Sequence, residues 1–161
     1  TVKAKFGDET IDVTSISYKI GMNGKEVYIK RGMSWEQDAV LRDLTINSLS
    51  LDFDGVIHDY VDGLDDLKRE FIRFNPGIAD QFEEDPLLIM RWFKSISTFD
   101  NPSWARADFD KIVDGMKYLS KIKGETKTER ELTAIMRGKN ARTVLKLMCK
   151  LGANKYLDLT C

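Results

Sequence analysis

The sequence predicts an α+β chain, a small sheet followed by helices, and three observations support this. Before about residue 80, short runs such as "VKAKF", "TIDVTSI" and "EVYIK" alternate apolar and polar side chains or are rich in β-branched ones, the mark of half-buried strands. After residue 80, apolar residues recur at Ile89, Trp92, Phe93 and Ile96, which is the helical period. At 161 residues and 42% hydrophobic content, the chain is long enough to bury a core. The expected division is a sheet part over 1–80 and a helical part over 81–161.

Local chemistry places the elements in order. Ser34 ahead of Trp35-Glu36-Gln37 has the side chains of a capping box, so a helix is expected over 34–42. "LSLDFDGVIHDY" sets Asp54-Gly55 between two short strands as a hairpin turn. In "EDPLLIMRWFKSIS", Pro86 suits a first helical position and Asp85 the cap before it. Further helices are expected at about 106–121, 127–137 and 139–151, with Gly124, Gly138 and Gly152 as breaks or caps. Trp92, Phe93, Trp104, Phe109, Tyr118, Met116, Met136 and Met148 fall at helical spacing and are expected in the core.

Composition narrows the function. No run of 18 apolar residues could form a membrane span, and "TVKAKFGDET" lacks the apolar stretch of a secretory signal. Cys149 and Cys161 have neither metal-ligand spacing nor the density of a disulfide framework, so a cytoplasmic setting is expected. The opening at Thr1 without a leader turn suggests a fragment or processed chain. Residues 1–100 carry 12 Lys and Arg against 19 Asp and Glu, a net −7; residues 101–161 carry 13 against 7, a net +6. Such a dipole fits two solvated faces, an acidic metal-holding part or a basic phosphate-facing part.

Residues 41–67, "LRDLTINSLSLDFDGVIHDYVDGLDDL", are dense in carboxylates beside an Arg-Asp pair. Carboxylates at strand ends can share divalent metals, and an Arg-Asp pair can hold a phosphate and a sugar hydroxyl. Asp52, Asp54, Asp62, Asp65 and Asp66 sit where aspartate more often serves as a cap or turn former. Asp12, on an alternating strand, and Asp43, just after a helix, are less easily explained that way. His58 has no metal or triad spacing and is expected to be structural.

"LRDLTINSLSLDFDGVIHDYVDGLDDLKREFIRF" followed by "QFEEDPLLIMRWFKS" resembles the class II tRNA nucleotidyltransferase and bacterial poly(A) polymerase family. That family carries an Arg-Arg-Asp-Phe-Thr-Ile-Asn segment, an Asp-(any)-(any)-Gly-Gly-(any)-(any)-Asp-Leu segment and a Glu-Asp-(any)-(any)-Arg helix start. All three occur here in the family's order. The resemblance covers the chain, with "GDETIDVTSI" similar to the strand bearing the family's third carboxylate and "KTERELTAIMRGKNARTVLKLMCKLGANKYLDL" similar to its helical neck. It implies an incomplete nucleotidyltransferase-type head followed by a neck, and an enzyme that adds nucleotides to an RNA 3′ end using Mg2+ ions.

Residue by residue, the resemblance implies that Asp12 is a catalytic carboxylate near a metal. Arg42, Asp43 and Asn47 would hold the nucleotide's ribose and phosphates, with an ordinary helix-end ion pair and cap as the plainer reading. Asp59, Gly63, Asp66 and Leu67 match the family's hinge and are expected to be structural. Asp85 and Arg91 lie on the helix that the family uses as a template for the base. ATP or CTP and the 3′ end of an RNA, in this family a tRNA, are the implied partners. The basic helices from Lys121 to Lys150 would contact phosphates without reading sequence.

The chain departs from the family at several points. Leu88 stands where the template Arg is expected, Asp62 replaces a Gly and Leu41 replaces the first Arg. Leucine cannot donate to a base, so selectivity is expected to be relaxed or altered. Arg91, one turn along, could bind phosphate or partly replace the missing donor; its plainer role is an ion pair with Asp85 or Glu84. The family's Gly-rich triphosphate loop and Asp-(any)-Asp metal pair have no match, since "DFD" at 52–54 lies on the wrong strand. Two expectations follow. Either the chain is part of a nucleotidyltransferase whose metal pair comes from another segment or a second polypeptide, or it is a non-catalytic remnant that binds nucleotide or RNA or serves as an interaction module.

Overall fold

A computed structural model describes residues 2–13, 17–23, 26–157 and 159. Two antiparallel hairpins come first: β1 (Val2–Phe6) pairs with β2 (Glu9–Val13), and β3 (Ser17–Asn23) with β4 (Glu26–Arg31). Asp12 sits in β2 opposite Lys3, and its side chain lies outside the described residues, as does Cys161. Helix α1 (Trp35–Val40) follows, with the expected capping box: Ser34 accepts from the Gln37 N–H, and the Gln37 side chain accepts from the Ser34 N–H. It ends two residues earlier than expected, because Arg42 and Asp43 turn into a 3-10 turn over Thr45–Asn47.

The hairpin β5 (Ser50–Leu51) and β6 (Ile57–His58) forms where expected. Its loop is governed by Asp52, whose Oδ1 accepts from the Asp54 and Val56 N–H groups at 3.0 and 2.9 Å. Gly55 takes the left-handed conformation (φ 81°) that lets the chain return with a bulge. Asp52 Oδ2 also lies 2.8 Å from His58 Nε2, and this bond, followed by the Val56 N–H, holds the Asp52 carboxyl below its ordinary range. Both residues are therefore structural, as expected.

Helix α2 (Gly63–Lys68), the short strand β7 (Phe71–Ile72) and a 3-10 turn (Ile78–Gln81) lead to the long helix α3 (Leu87–Thr98). β7 pairs in parallel with β8 (Ser103–Trp104), beyond α3. Helices α4 (Arg106–Gly115), α5 (Thr126–Arg137) and α6 (Ala141–Lys150) complete the chain. The helix expected over 106–121 divides at Gly115, after which Met116–Ile122 continues as 3-10. Gly115 lies against the Phe82 ring, and a close approach of this kind fixes the chain path there.

α3 lies at the centre. Ile89, Met90, Trp92 and Phe93 are wholly buried, which is why its apolar residues are not confined to one stripe. α3 packs on α5 and α6, and Trp92 meets Phe93 and Trp104 edge-on at 5.2 and 5.6 Å. Met116 and Met148 are buried as expected, while Trp104, Phe109 and Tyr118 are partly buried against the core. Met136 departs from expectation: it is 56% exposed, on the outer face of α5. The same core takes in Leu44, Ile72 and Phe74, so apolar packing runs without a break across residue 80.

Two carboxylates give tests of these contacts. Asp62 holds a left-handed backbone (φ 61°, ψ 27°), which disfavours residues with a Cβ by roughly 1 kcal/mol. Asp62→Gly is expected to raise the melting temperature by about 2 °C, and a lower melting temperature would show that Asp62 earns its place another way. Asp108 accepts the Phe74 N–H at 2.8 Å, and burial pushes its carboxyl above the ordinary value of 3.8 despite that bond, Lys111 and Arg73. A raised carboxyl favours folding while protonated, and that contribution fades as pH rises through the shifted value. Asp108→Asn keeps an acceptor for Phe74, so it should melt higher than the parent at pH 7 and lose this advantage towards pH 3. Melting curves across pH test it.

Candidate nucleotide-binding site

The site begins where α1 ends. Arg42 turns back along the helix, and its Nη2 and Nε lie 2.6 and 2.9 Å from Asp38 Oδ2, so the plainer reading of Arg42 holds in this structure. Asp43 Oδ1 accepts from the Leu44 N–H at 2.8 Å and from Asn47 Nδ2 at 3.0 Å. The carboxylate expected to meet a nucleotide thus spans the 3-10 turn, from the residue before it to Asn47 at its end. Asp43 Oδ2 faces Arg91 Nη1 at 3.7 Å, beyond hydrogen-bond length, which leaves both groups with bonding capacity.

Of the six residues singled out by sequence, three therefore come together: Asp43, Asn47 and Arg91. The ion pair expected between Arg91 and Asp85 or Glu84 is replaced by this one, because Arg91 sits one turn into α3 on the side facing the Asp43 loop. Asp85 instead caps the helix, its Oδ1 accepting from the Leu87 N–H at 3.2 Å, while Pro86 adopts helical angles. Arg42 opens on a small cavity of about 220 Å3 that it shares with Trp35, Asp38, Asn47, Ser48 and Ser50. Leu88 is buried in the core, so the face of α3 at that position offers no donor.

Behind the site, the residues matched to the hinge do structural work. Asp66 is buried (1% exposed), and its Oδ2 accepts from Thr45 Oγ1 and Arg73 Nε, both at 2.6 Å. Gly63 lies against the main chain of Thr45, where a Cβ would come within 2.9 Å of the carbonyl carbon and closer still to the oxygen. Asp59 accepts from the N–H groups of Val61, Gly63 and Leu64. Burial opposes its ionisation, but bonds from Leu64, Val61, Gly63 and Asp62 outweigh that and hold the carboxyl below its ordinary range.

Two residues were not found from sequence. Trp35 is 58% exposed and forms a wall between the Arg42 cavity and a second one of about 460 Å3 lined by Leu51, Phe53, His58 and Tyr60. Asn75 is buried behind the Arg42-Asp43 turn. Its signal was an uncharged polar residue before Pro76 in the run "FIRFNPGIA", where Arg73 is the only other polar side chain.

Residues 1–73 match the family described as the poly A polymerase head domain. The match extends past that head: mitochondrial CCA tRNA nucleotidyltransferase 1 of Mus musculus is 31% identical over 161 residues, 99% of this chain and 37% of the relative. These likenesses support a fragment of the CCA-adding enzyme and poly(A) polymerase family. A CCA-adding enzyme of Ligilactobacillus salivarius is 36% identical over 134 residues, covering 78% of the chain and 33% of the relative. In three dimensions the chain is similar to the Bacillus stearothermophilus CCA-adding enzyme solved in complex with CTP, with a TM-score of 0.70 and 26% identity over 88% of this chain and 38% of that one. The chain thus spans roughly a third of the length of these relatives. No helix among the described residues is long and apolar enough to cross a membrane.

Members of this family generally work with a divalent metal. Among the described residues, no three His, Cys, Asp or Glu side chains converge as a metal site. The described residues do not by themselves fit a Mg2+ centre.

Proposed function

We propose that this chain carries the nucleotide-recognition part of an RNA 3′-end nucleotidyltransferase of the CCA-adding or poly(A) polymerase type. Residues 1–80 form part of the head and 81–161 the neck. The observation that carries this reading is the meeting of Asp43, bonded to Asn47 from the same family motif, with Arg91 on the helix that the family uses as its template. Asp43 and Asn47 would address the ribose and Arg91 a phosphate or base of ATP or CTP, with Arg42, which shares a cavity with Asn47, as a further phosphate ligand and Asp85 as the proposed base contact at the start of α3. Asp12 is the proposed catalytic carboxylate and Mg2+ ligand. The remaining metal ligands would come from a segment outside these residues or a second polypeptide, and the RNA 3′ end, a tRNA in the leading case, would pass the neck in the cytoplasm.

Leu88 favours a second reading, a nucleotide- or RNA-binding remnant without catalysis, because it removes a donor from the template position. Losing one buried hydrogen-bond partner is worth about 1–3 kcal/mol, enough to erase roughly tenfold discrimination or more. ATP, CTP, GTP and UTP are therefore expected to bind within about tenfold of one another. The decisive experiment offers each labelled nucleotide, with Mg2+, to a tRNA lacking its 3′ end, using this chain alone and joined to the family's metal-pair segment. Incorporation by the joined protein supports the enzyme, none by either supports the remnant, and strict CCA completion would overturn the account of Leu88.

A further inference from the structure

Asn75 stands three residues after the end of β7, in "RFNPG", and is 1% exposed. Its side-chain nitrogen lies 3.0 Å from the Ala39 carbonyl oxygen, 2.9 Å from that of Arg42 and 2.7 Å from Ser48 Oγ. Two of these neighbours can only accept, so the amide nitrogen, not the oxygen, faces them, its two hydrogens shared among the three acceptors. The Asn75 main-chain N–H donates to the Asp43 carbonyl at 3.0 Å. Ser48 Oγ in turn donates to the Leu44 carbonyl at 3.0 Å.

One buried residue is therefore tied to the last turn of α1, to the peptides on both sides of Asp43, and to the residue after Asn47. Asp43 faces Arg91 and accepts from Asn47, and the turn that carries them is otherwise anchored through Leu44 and Thr45, by Phe74, the Arg73 carbonyl and Asp66, which leaves Asn75 to hold the peptides at Asp43 itself. The turn itself is short: Asn47 N–H reaches Leu44 O and Ser48 N–H reaches Thr45 O, both at 3.0 Å. Short 3-10 turns hold their geometry poorly unless other groups fix them, and Asn75 supplies such groups from outside the segment.

We infer that Asn75 is a positioning residue for the nucleotide site, acting through the Ala39, Arg42 and Ser48 acceptors to aim Asp43, with Asn47 bonded to it, at Arg91. This inference rests on the reading of those three side chains as nucleotide-binding. Asn75→Leu, close in size but without the donors, and Ser48→Ala, which removes a single link, are compared with Met148→Ala, a buried change in α6 remote from the site. ATP and CTP binding is titrated well below each melting temperature, and amide hydrogen exchange is followed at Asn47, Ser48 and along α3.

Asn75→Leu is expected to weaken both nucleotides at least tenfold and to speed exchange at Asn47 and Ser48 at least tenfold, with α3 unchanged. Met148→Ala should leave binding within about twofold. Equal losses in Asn75→Leu and Met148→Ala, or exchange that rises uniformly, would overturn the inference. Should Asn75→Leu fail to fold, Ser48→Ala carries the same two measurements with an expected threefold effect, and parental values there would overturn it. If the parent chain binds neither nucleotide, the nucleotide reading fails. The positioning claim is then decided by exchange alone, selective opening of Asn47 and Ser48 upholding it.

Discussion

Gly63→Ala is expected to lower the melting temperature by about 6–12 °C and to weaken nucleotide binding with it. The added methyl would meet the Thr45 carbonyl carbon at 2.9 Å and its oxygen at less, and a main-chain carbonyl cannot rotate aside as a side chain can. Retreat of α2 is resisted from the other side, because Asp59 holds the Gly63 and Leu64 N–H groups. Overpacking typically costs about 1–3 kcal/mol, and a backbone obstacle places this case at about 3 kcal/mol, worth 2–4 °C per kcal/mol at this size. Thr45 opens the turn that carries Asn47, so the displacement reaches the site. A circular-dichroism melt within 2 °C of the parent would show that α2 moves freely.

Asp66→Ala is the second large effect. The carboxylate is buried, accepts from Thr45 and Arg73 at 2.6 Å each, and lies 3.6 Å from Arg69. Removing it leaves the Thr45 hydroxyl without that acceptor and the partly exposed Arg73 held through the Val61 carbonyl at 3.1 Å and the field of Asp108. Breaking a buried pair on one side costs about 3–5 kcal/mol, and the partial exposure of Arg73 puts the expected loss near 3 kcal/mol. Asp66→Asn, which keeps the shape and one acceptor, should fall between. Adding Arg73→Met to Asp66→Ala should restore part of the loss, since the unpaired cation goes with it. Chemical denaturation of the three variants measures this, and a parental midpoint for Asp66→Ala would refute the account.

Local chemistry was legible in the sequence. The Ser34 capping box, the Asp54-Gly55 hairpin, Asp85 as a cap before Pro86 and the structural roles of Asp52 and Asp59 depend on neighbours a few residues away, and all stand as read. What escaped depends on folding distant segments together. Arg91 was expected to pair along its own helix, whereas tertiary packing gives it Asp43. Asn75 carries its meaning in acceptors at Ala39, Arg42 and Ser48, which no spacing rule connects. Met136 has helical spacing but points away from α3, since only a neighbour decides which side of an amphipathic helix is inside. The motif order pointed to the family; the standing of Arg42 against Asp38 and the burial of Leu88 could come only from coordinates.

The parallel pairing of Phe71–Ile72 with Ser103–Trp104 bears on how this protein can be divided. Ile72, Phe74 and Ile78 lie in one core with α3 and the helices after it, and the Phe74 N–H is satisfied from Asp108. A fragment severed at residue 80 would lose the far wall of that core along with the strand partner, and its oily inner surface would drive self-association. The residues on either side of position 80 should accordingly melt in a single step, and the halves, expressed apart, should regain solubility only when mixed.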